Sequence, residues 1–279
     1  MVAIKILETF KKGKVNERLC EDAFFQSENY IAVIDGVTSK TDFLYHGKTT
    51  GKLASEIIYR VLETLRGDEP LREIVERVNG EITAFYDQID FPYDRGEKGL
   101  QAACVIYSAF YREIWMIGDC QAVVDGEVYL NPKKSDVVLS EMRSLILSTL
   151  EQERRNTTGL YREEWEEHDA AREIILPWIL RATIYANDDT TEYGYSVFNG
   201  QAIPESLIKV IRLREGAHEV ILTSDGYPEV KETLRKTEEN LKEILIHDPG
   251  CYKKYLSTKG VKKGQTSFDD RTYVRFMTD

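Results

Sequence analysis

Two aspartates stand where an apolar run gives out. Tyr30-Ile31-Ala32-Val33-Ile34 leads into Asp35-Gly36, and Val220-Ile221-Leu222-Thr223-Ser224 leads into Asp225-Gly226. A third stretch, Gln265-Thr266-Ser267-Phe268, leads into Asp269-Asp270. A strand end holds a carboxylate rigidly. A glycine after it lets the chain turn and brings a backbone carbonyl near the same point. Glu21-Asp22 adds two more carboxylates. Mg²⁺ and Mn²⁺ prefer carboxylate, carbonyl and water oxygens. If these positions converge, they suit a metal centre that hydrolyses phosphate esters. In such two-metal sites the ions lie about 3.5–4 Å apart and activate water, so no covalent nucleophile is needed. The sequence offers none in context: no Ser-His-Asp or Cys-His arrangement, no HExxH, no clustered His/Cys zinc signature, and only four histidines.

Asp-Gly alone is a common turn. Asp125-Gly126, between Gln121–Asp125 and Glu127–Leu130, reads as a plain hairpin turn. Gly47-Lys48-Thr49-Thr50-Gly51-Lys52-Leu53 resembles a phosphate loop but has three residues where four are needed, and then Leu. It reads as a helix N-terminus, with Lys48 or Lys52 at most an accessory cation. Asn187-Asp188-Asp189 reads as a solvated loop.

The elements that must position the acidic residues follow from periodicity. Ala3 to Phe10 has strand character, and a strand beginning near Glu21 forms a hairpin with the strand through Asp35, which places Glu21 and Asp22 beside it. Leu53, Ile57, Ile58, Val61, Leu62 and Leu65 share one helical face; Leu71, Ile74, Val75, Val78, Ile82 and Phe85 share another. Leu100–Phe110 and Glu113–Gly118 form a second hairpin ending at Asp119. Between 140 and 185 the spacing predicts inserted helices, the last broken by Pro177. The charged runs Glu151–Arg155 and Tyr161–Arg172 read as a solvated face or as a flap over the substrate. Tyr193–Asn199, Leu207–Leu213 and Glu219–Thr223 read as strands, Val230–Ile246 as a helix and Arg271–Met277 as the last strand. The expectation is one α+β domain over residues 1–279.

With 37 Lys and Arg against 48 Asp and Glu, net charge −11, the chain lacks the basic surplus that nucleic acid demands. The N-terminus lacks a signal-peptide layout and no run of about 18 apolar residues could span a membrane. Four scattered cysteines without a CxxC pair read as reduced thiols of a cytoplasmic protein.

Taken in order, the motifs resemble the metal-dependent protein phosphatases of the type-2C (PPM) family, in a divergent bacterial branch. Glu21-Asp22-Ala23-Phe24 is similar to its Glu-Asp motif and Ile31–Gly36 to its Asp-Gly strand. Gly118-Asp119-Cys120-Gln121 is similar to its Gly-Asp-Ser-Arg, Leu222–Gly226 to its Ser-Asp-Gly, and Phe268–Thr272 to its terminal Asp-Asn-x-Thr. The resemblance implies an antiparallel β-sandwich flanked by pairs of helices, with two Mn²⁺ or Mg²⁺ ions at one end. Asp35 would bridge both ions, the Gly36 carbonyl would bind one, Asp225 and Asp269 would complete one shell, and Glu21, with Asp22 behind it, would hold the other ion. Asp119 matches a position that helps hold a weaker third ion. The implied activity is hydrolysis of phosphoserine or phosphothreonine in proteins by direct attack of metal-activated water. Three departures stand out. Val37 replaces the histidine that often follows Asp-Gly, with His46 a substitute of lesser fit. Arg18 lies three residues before the Glu, where the phosphate-binding arginine lies four before; on a strand one residue of offset reverses the face, unless a bulge repairs it. Gly-Asp-Cys-Gln lacks the Ser and Arg. A catalytically silent binding protein on the same fold, or a small-molecule phosphatase, remains the alternative.

Overall fold

The computed structural model describes residues 4–158 and 168–279. Two five-stranded antiparallel sheets face each other. The first runs in the order β2 (Ala23–Gln26), β3 (Tyr30–Gly36), β4 (Ala102–Ser108), β5 (Glu113–Ile117), β8 (Lys209–Arg212). The second runs β1 (Lys5–Lys12), β10 (Arg271–Thr278), β9 (His218–Thr223), β6 (Gln121–Val124), β7 (Glu127–Tyr129).

β3 and β4 read as unbroken apolar runs because both of their faces are covered. Ile31, Val33, Val105, Ile114 and Met116 point inward and pack against Ala122, Val220, Leu222, Val274 and Phe276 of the opposite sheet. Ala32, Ile34, Cys104, Ile106 and Trp115 point outward, under α1 (Thr50–Glu63) and α2 (Leu71–Tyr86). The residues at helical spacing on α1 and α2 that meet them include Leu53, Ile58, Leu62, Ile74, Val78 and Ile82. Thr49 caps α1 by accepting from the Lys52 amide, so the failed phosphate loop is a helix start. A one-turn helix α3 (Arg95–Lys98) precedes β4. The outer face of the second sheet is covered by α6 (Leu234–His247) and the segment from Cys251 to Phe268, through Ile221, Tyr273, Leu241 and Tyr227.

The inserted helices are α4 (Lys134–Thr158) and α5 (Ala170–Arg181). They meet through Leu139, Ile146, Ile175 and Ile179. Pro177 does not break α5. It lies on the exposed face, where the carbonyl it strands at Glu173 is open to water. Glu151 departs from the solvated-face reading of its charge run: it is 8 % exposed, accepts from the Tyr252 hydroxyl at 3.2 Å and pairs with Lys253 at 3.0 Å. Residues 161–167 of the second charge run lie outside the described residues. Tyr193–Asn199 is not a strand. Single bridges tie Phe198 to Ala102 and Tyr195 to Ala186, and the Asn187 side chain bonds both the amide and the carbonyl of Val197, so no ladder forms. α6 starts at Leu234, four residues later than its apolar pattern suggests, because Thr233 caps it there. All four cysteines are buried thiols. Among the described residues, no helix is long and apolar enough to cross a membrane.

Candidate active site

Antiparallel pairing carries the acidic positions to one end of the sandwich. Asp35 lies opposite Ala103 and Ala23 opposite Ile34, so Glu21-Asp22 enters beside the end of β3. Cys104 pairs with Ile117, which brings Gly118-Asp119 to the same edge. Across the sandwich, Thr223 pairs with both Tyr273 and Gln121, so Asp225 and the Asp269-Asp270 pair meet at the matching end of the second sheet. Asp35 is two residues beyond Val33 and shares its inward face, so it points between the sheets where the apolar filling ends.

Asp35, Asp119, Asp225 and Asp269 line one cavity of about 130 Å³. Glu21 and Asp22 are buried behind it, at 4 % and 1 % exposure. Asp22 Oδ2 accepts from the Thr272 hydroxyl at 2.9 Å, and Glu21 Oε1 accepts from the Thr49 hydroxyl at 2.6 Å and the Ser39 amide at 3.3 Å. Asp270 acts as a clasp. Its two oxygens accept the Lys14 and Glu21 amides at 2.7 and 2.9 Å, tying the turn after β1 to the start of β10. Gly36 is required by close approach: a Cβ there would meet the Gly51 carbonyl oxygen at 2.3 Å and the Glu21 carbonyl oxygen at 2.7 Å. Gly51 is in the first turn of α1, so the helix N-terminus is pressed onto the acidic strand end.

The electrostatics are those of like charges held out of water. Burial, then Asp225, Asp22, Asp269 and Asp119, push the Asp35 carboxyl well above its ordinary range. Burial and Asp269 push Asp225 up to about 8, and burial and Asp270 push Asp22 up to about 7. Burial and Asp136 raise Asp119. Asp269 goes the other way. Burial alone would raise it, but Lys259 and Lys14 outweigh that and hold it below its ordinary value.

Those two lysines were not singled out in the sequence, and they are not alone. Lys40, Lys133 and Arg172 line the cavity together with Lys259, while Lys14 reaches Asp269 from beside it. Burial, then Lys259 and Arg172, lower Lys40 to about 7. Arg172 extends from the first turn of α5 and donates to the Thr258 carbonyl, so the inserted helix contributes directly to the cleft. Lys133 pairs with Asp136 at 3.2 Å and sits 4.4 Å over the Tyr195 ring. Arg18, by contrast, is not brought to the cleft. It belongs to a 3₁₀ turn, Glu17–Leu19, where the strand-offset argument has no force, and it is exposed. His46 is also exposed, stacked edge-on against Tyr45, and among the described residues no histidine lines the cavity. Lys48 pairs with Glu56 at 2.5 Å rather than with a substrate site. Asp125 φ 51 and Gly126 φ 86 give the hairpin turn expected there, away from the cleft.

A divalent cation fits this donor set. The Asp225 Oδ1 and Asp22 Oδ1 atoms are buried without a hydrogen-bond donor, and Asp35 is surrounded by the carboxylates of Asp225, Asp22, Asp269 and Asp119. Among the described residues no three His, Cys, Asp or Glu side chains form a metal shell by themselves. Mg²⁺ commonly takes one or two carboxylates and keeps several waters.

A pH dependence follows. Asp35, Asp225 and Asp22 hold protons in the folded chain at pH values where an unfolded chain, with aspartates near 3.9, has lost them. The stability this gives is present below about pH 4 and drains away as pH rises toward about 8. Asp269 and Lys40 have the opposite sign, but Asp269 acts only below the ordinary carboxylate range and Lys40, lowered to about 7, returns stability only above about pH 7. The metal-free protein should therefore melt several degrees lower at about pH 8 than at about pH 5, at roughly 2–4 °C per kcal/mol. Mn²⁺ should raise the melting temperature more at the higher pH. Scanning calorimetry in chelated and Mn²⁺-loaded buffers measures both.

The sequence matches no protein-family model and no curated protein. Among solved structures, the chain is similar to the catalytic domain of the serine/threonine protein phosphatase PstP in complex with two manganese ions. Identity is 18 % and the TM-score 0.53, over 100 % of this chain and 99 % of that one. It also matches the serine/threonine phosphatase Stp1 from Staphylococcus aureus at 16 % identity and TM-score 0.48, over 99 % and 94 % of the two chains. The first of these matches carries the fold: the two-sheet sandwich with its helices has the PPM-type Ser/Thr phosphatase fold.

Proposed function

We propose that this chain is a divalent-cation-dependent phosphomonoester hydrolase acting on phosphoserine or phosphothreonine in proteins. The observation that carries this reading is the convergence of Asp35, Asp119, Asp225 and Asp269 from both sheets on one basic-rimmed cavity. Phosphatases of the same fold, one of them bound to two manganese ions, support it.

Asp35 and Asp225 would hold the cation, with Asp119 beside them and the Gly36 carbonyl as a further hard donor. Bound there, Mn²⁺ or Mg²⁺ supplies Lewis acidity and lowers the pKa of water. The chain's own residues do the rest. Arg172 and Lys40 face the cavity and can neutralise the phosphoryl oxygens, the task for which Arg18 is badly placed. Lys40, lowered to about 7, can hold a proton at Nζ and give it to the departing seryl or threonyl oxygen, taking the part of the missing histidine.

The test is hydrolysis of p-nitrophenyl phosphate and of phosphopeptides with Mn²⁺, Mg²⁺ or EDTA. Turnover should require the metal, and Arg172→Met should raise KM by about tenfold or more, the loss of one charged hydrogen bond, while Arg18→Ala leaves it unchanged. The pairing of Lys14 and Lys259 with Asp269 favours a second reading, a silent binding protein. No turnover with any metal in a folded sample would sink the first reading and favour the second.

A further inference from the structure

The carboxylates of the site divide into two groups by what already touches them. Lys14 Nζ lies 3.0 Å from Asp269 Oδ1 and 3.7 Å from both Glu21 Oε2 and Asp270 Oδ2. Lys259 Nζ pairs with the other oxygen of Asp269, Oδ2. The two ammonium groups share one further acceptor, the Thr38 hydroxyl oxygen, at 2.9 and 3.1 Å. Both oxygens of Asp269 are thereby taken, and Glu21 has its Oε1 on Thr49 and Ser39 and its Oε2 toward Lys14. The lysine side chains are only 12 % and 18 % exposed. Asp225 is in the other group, with its buried Oδ1 free of any hydrogen-bond donor.

We propose that Lys14 and Lys259 are the built-in cation of this centre, so that the chain takes one divalent ion, on the side of Asp35, Asp225 and Asp119, where the fold's relatives suggest two. This rests on reading the centre as a metal site at all. Two ammonium groups carry the charge of one divalent ion. To seat a second ion on Asp269, both would have to leave it: Lys259 would lose the carboxylate it pairs with, and Lys14 would keep only the longer contacts to Glu21 and Asp270. Lys14 also sits in the turn that Asp270 clasps, so its backbone is fixed and its side chain has little room to withdraw.

Titration of the chelated, folded protein with Mn²⁺, by calorimetry and by electron paramagnetic resonance, tests this without reference to activity. The expected result is one Mn²⁺ per chain with an uncoupled six-line spectrum. The Lys14→Met/Lys259→Met double variant should take up a second ion, and the two spins should broaden one another. Should that variant fail to fold, Asp269→Asn decides the matter. It should still bind one ion, with affinity changed by less than about tenfold, the lower bound for losing a supporting group. Two ions in the wild type, no second ion in a folded double variant, or loss of the ion from Asp269→Asn would each overturn the proposal and leave the hydrolase standing. No ion in the wild type or either variant would instead overturn the metal reading itself.

Discussion

Asp35→Asn should lower metal-dependent hydrolysis of p-nitrophenyl phosphate by at least about 10³-fold, the scale on which a group that organises transition-state charge is felt. The same variant should make the metal-free protein more stable. Asn is the same size as Asp, so the packing at the end of β3 is kept. What is lost is a carboxyl that burial and the neighbouring Asp225, Asp22, Asp269 and Asp119 force to keep its proton where the unfolded chain would release it. The two effects have opposite signs, which separates loss of chemistry from loss of fold. Asp225→Asn should behave alike, since its carboxyl is raised by burial and Asp269. If both variants hydrolyse the ester at wild-type rates, the acidic cluster is not the site. Steady-state rates and urea unfolding of the metal-free proteins give the two readouts together.

The largest stability effect is expected far from those aspartates, at Arg143→Met. Arg143, in α4, is fully buried. Its Nε and Nη2 donate to Asp169 Oδ2 at 2.9 and 2.6 Å, and its Nη1 donates to the carbonyls of Gly250, Cys251 and Ser257 at 2.9, 3.2 and 3.0 Å. Asp169 is also the N-cap of α5. One guanidinium therefore joins both inserted helices to the loop that delivers Lys259. Removing it strands a buried carboxylate and three carbonyls, at a cost of about 3–5 kcal/mol. The double variant Arg143→Met/Asp169→Leu should recover part of that loss, because no charge is then left alone. Urea denaturation of the single and double variants measures it. A cost below about 1 kcal/mol for the single variant would mean that the inserted pair is not anchored this way.

The acidic strand ends were legible in the sequence because a strand covered on both faces is a continuous apolar run, and a charged residue at its end is abrupt. Asp35 after Ile34 and Asp225 after Leu222-Thr-Ser are of this kind, and so are the helix faces of α1 and α2. The cations were not legible. Lys14, Lys40 and Lys259 sit in turns that carry no periodicity, and Arg172 is one basic residue in a long charged run; only tertiary packing brings them to the cavity. Arg18 misled because its neighbours suggested a strand, whereas the Asn16 side chain caps a short 3₁₀ turn there. Tyr193–Asn199 is not a strand because its backbone partners are an asparagine side chain and single bridges.

The order of the second sheet has a consequence for synthesis. β10 follows the other nine strands of the two sheets in the sequence, yet it is an inner strand, lying between β1 and β9. The turn of Lys14 and the amide of Glu21 both wait for Asp270. A ribosome that has delivered the first 268 residues has therefore produced four of the cavity's five aspartates without the strand that assembles them. The emerging chain carries an open sheet edge on β1 and another on β9 until residues 271–278 arrive. Pairing across so long a sequence separation is slow to form, and unpaired edges invite association. On this geometry the acidic cavity closes in a single late event, when β10 enters the gap between β1 and β9.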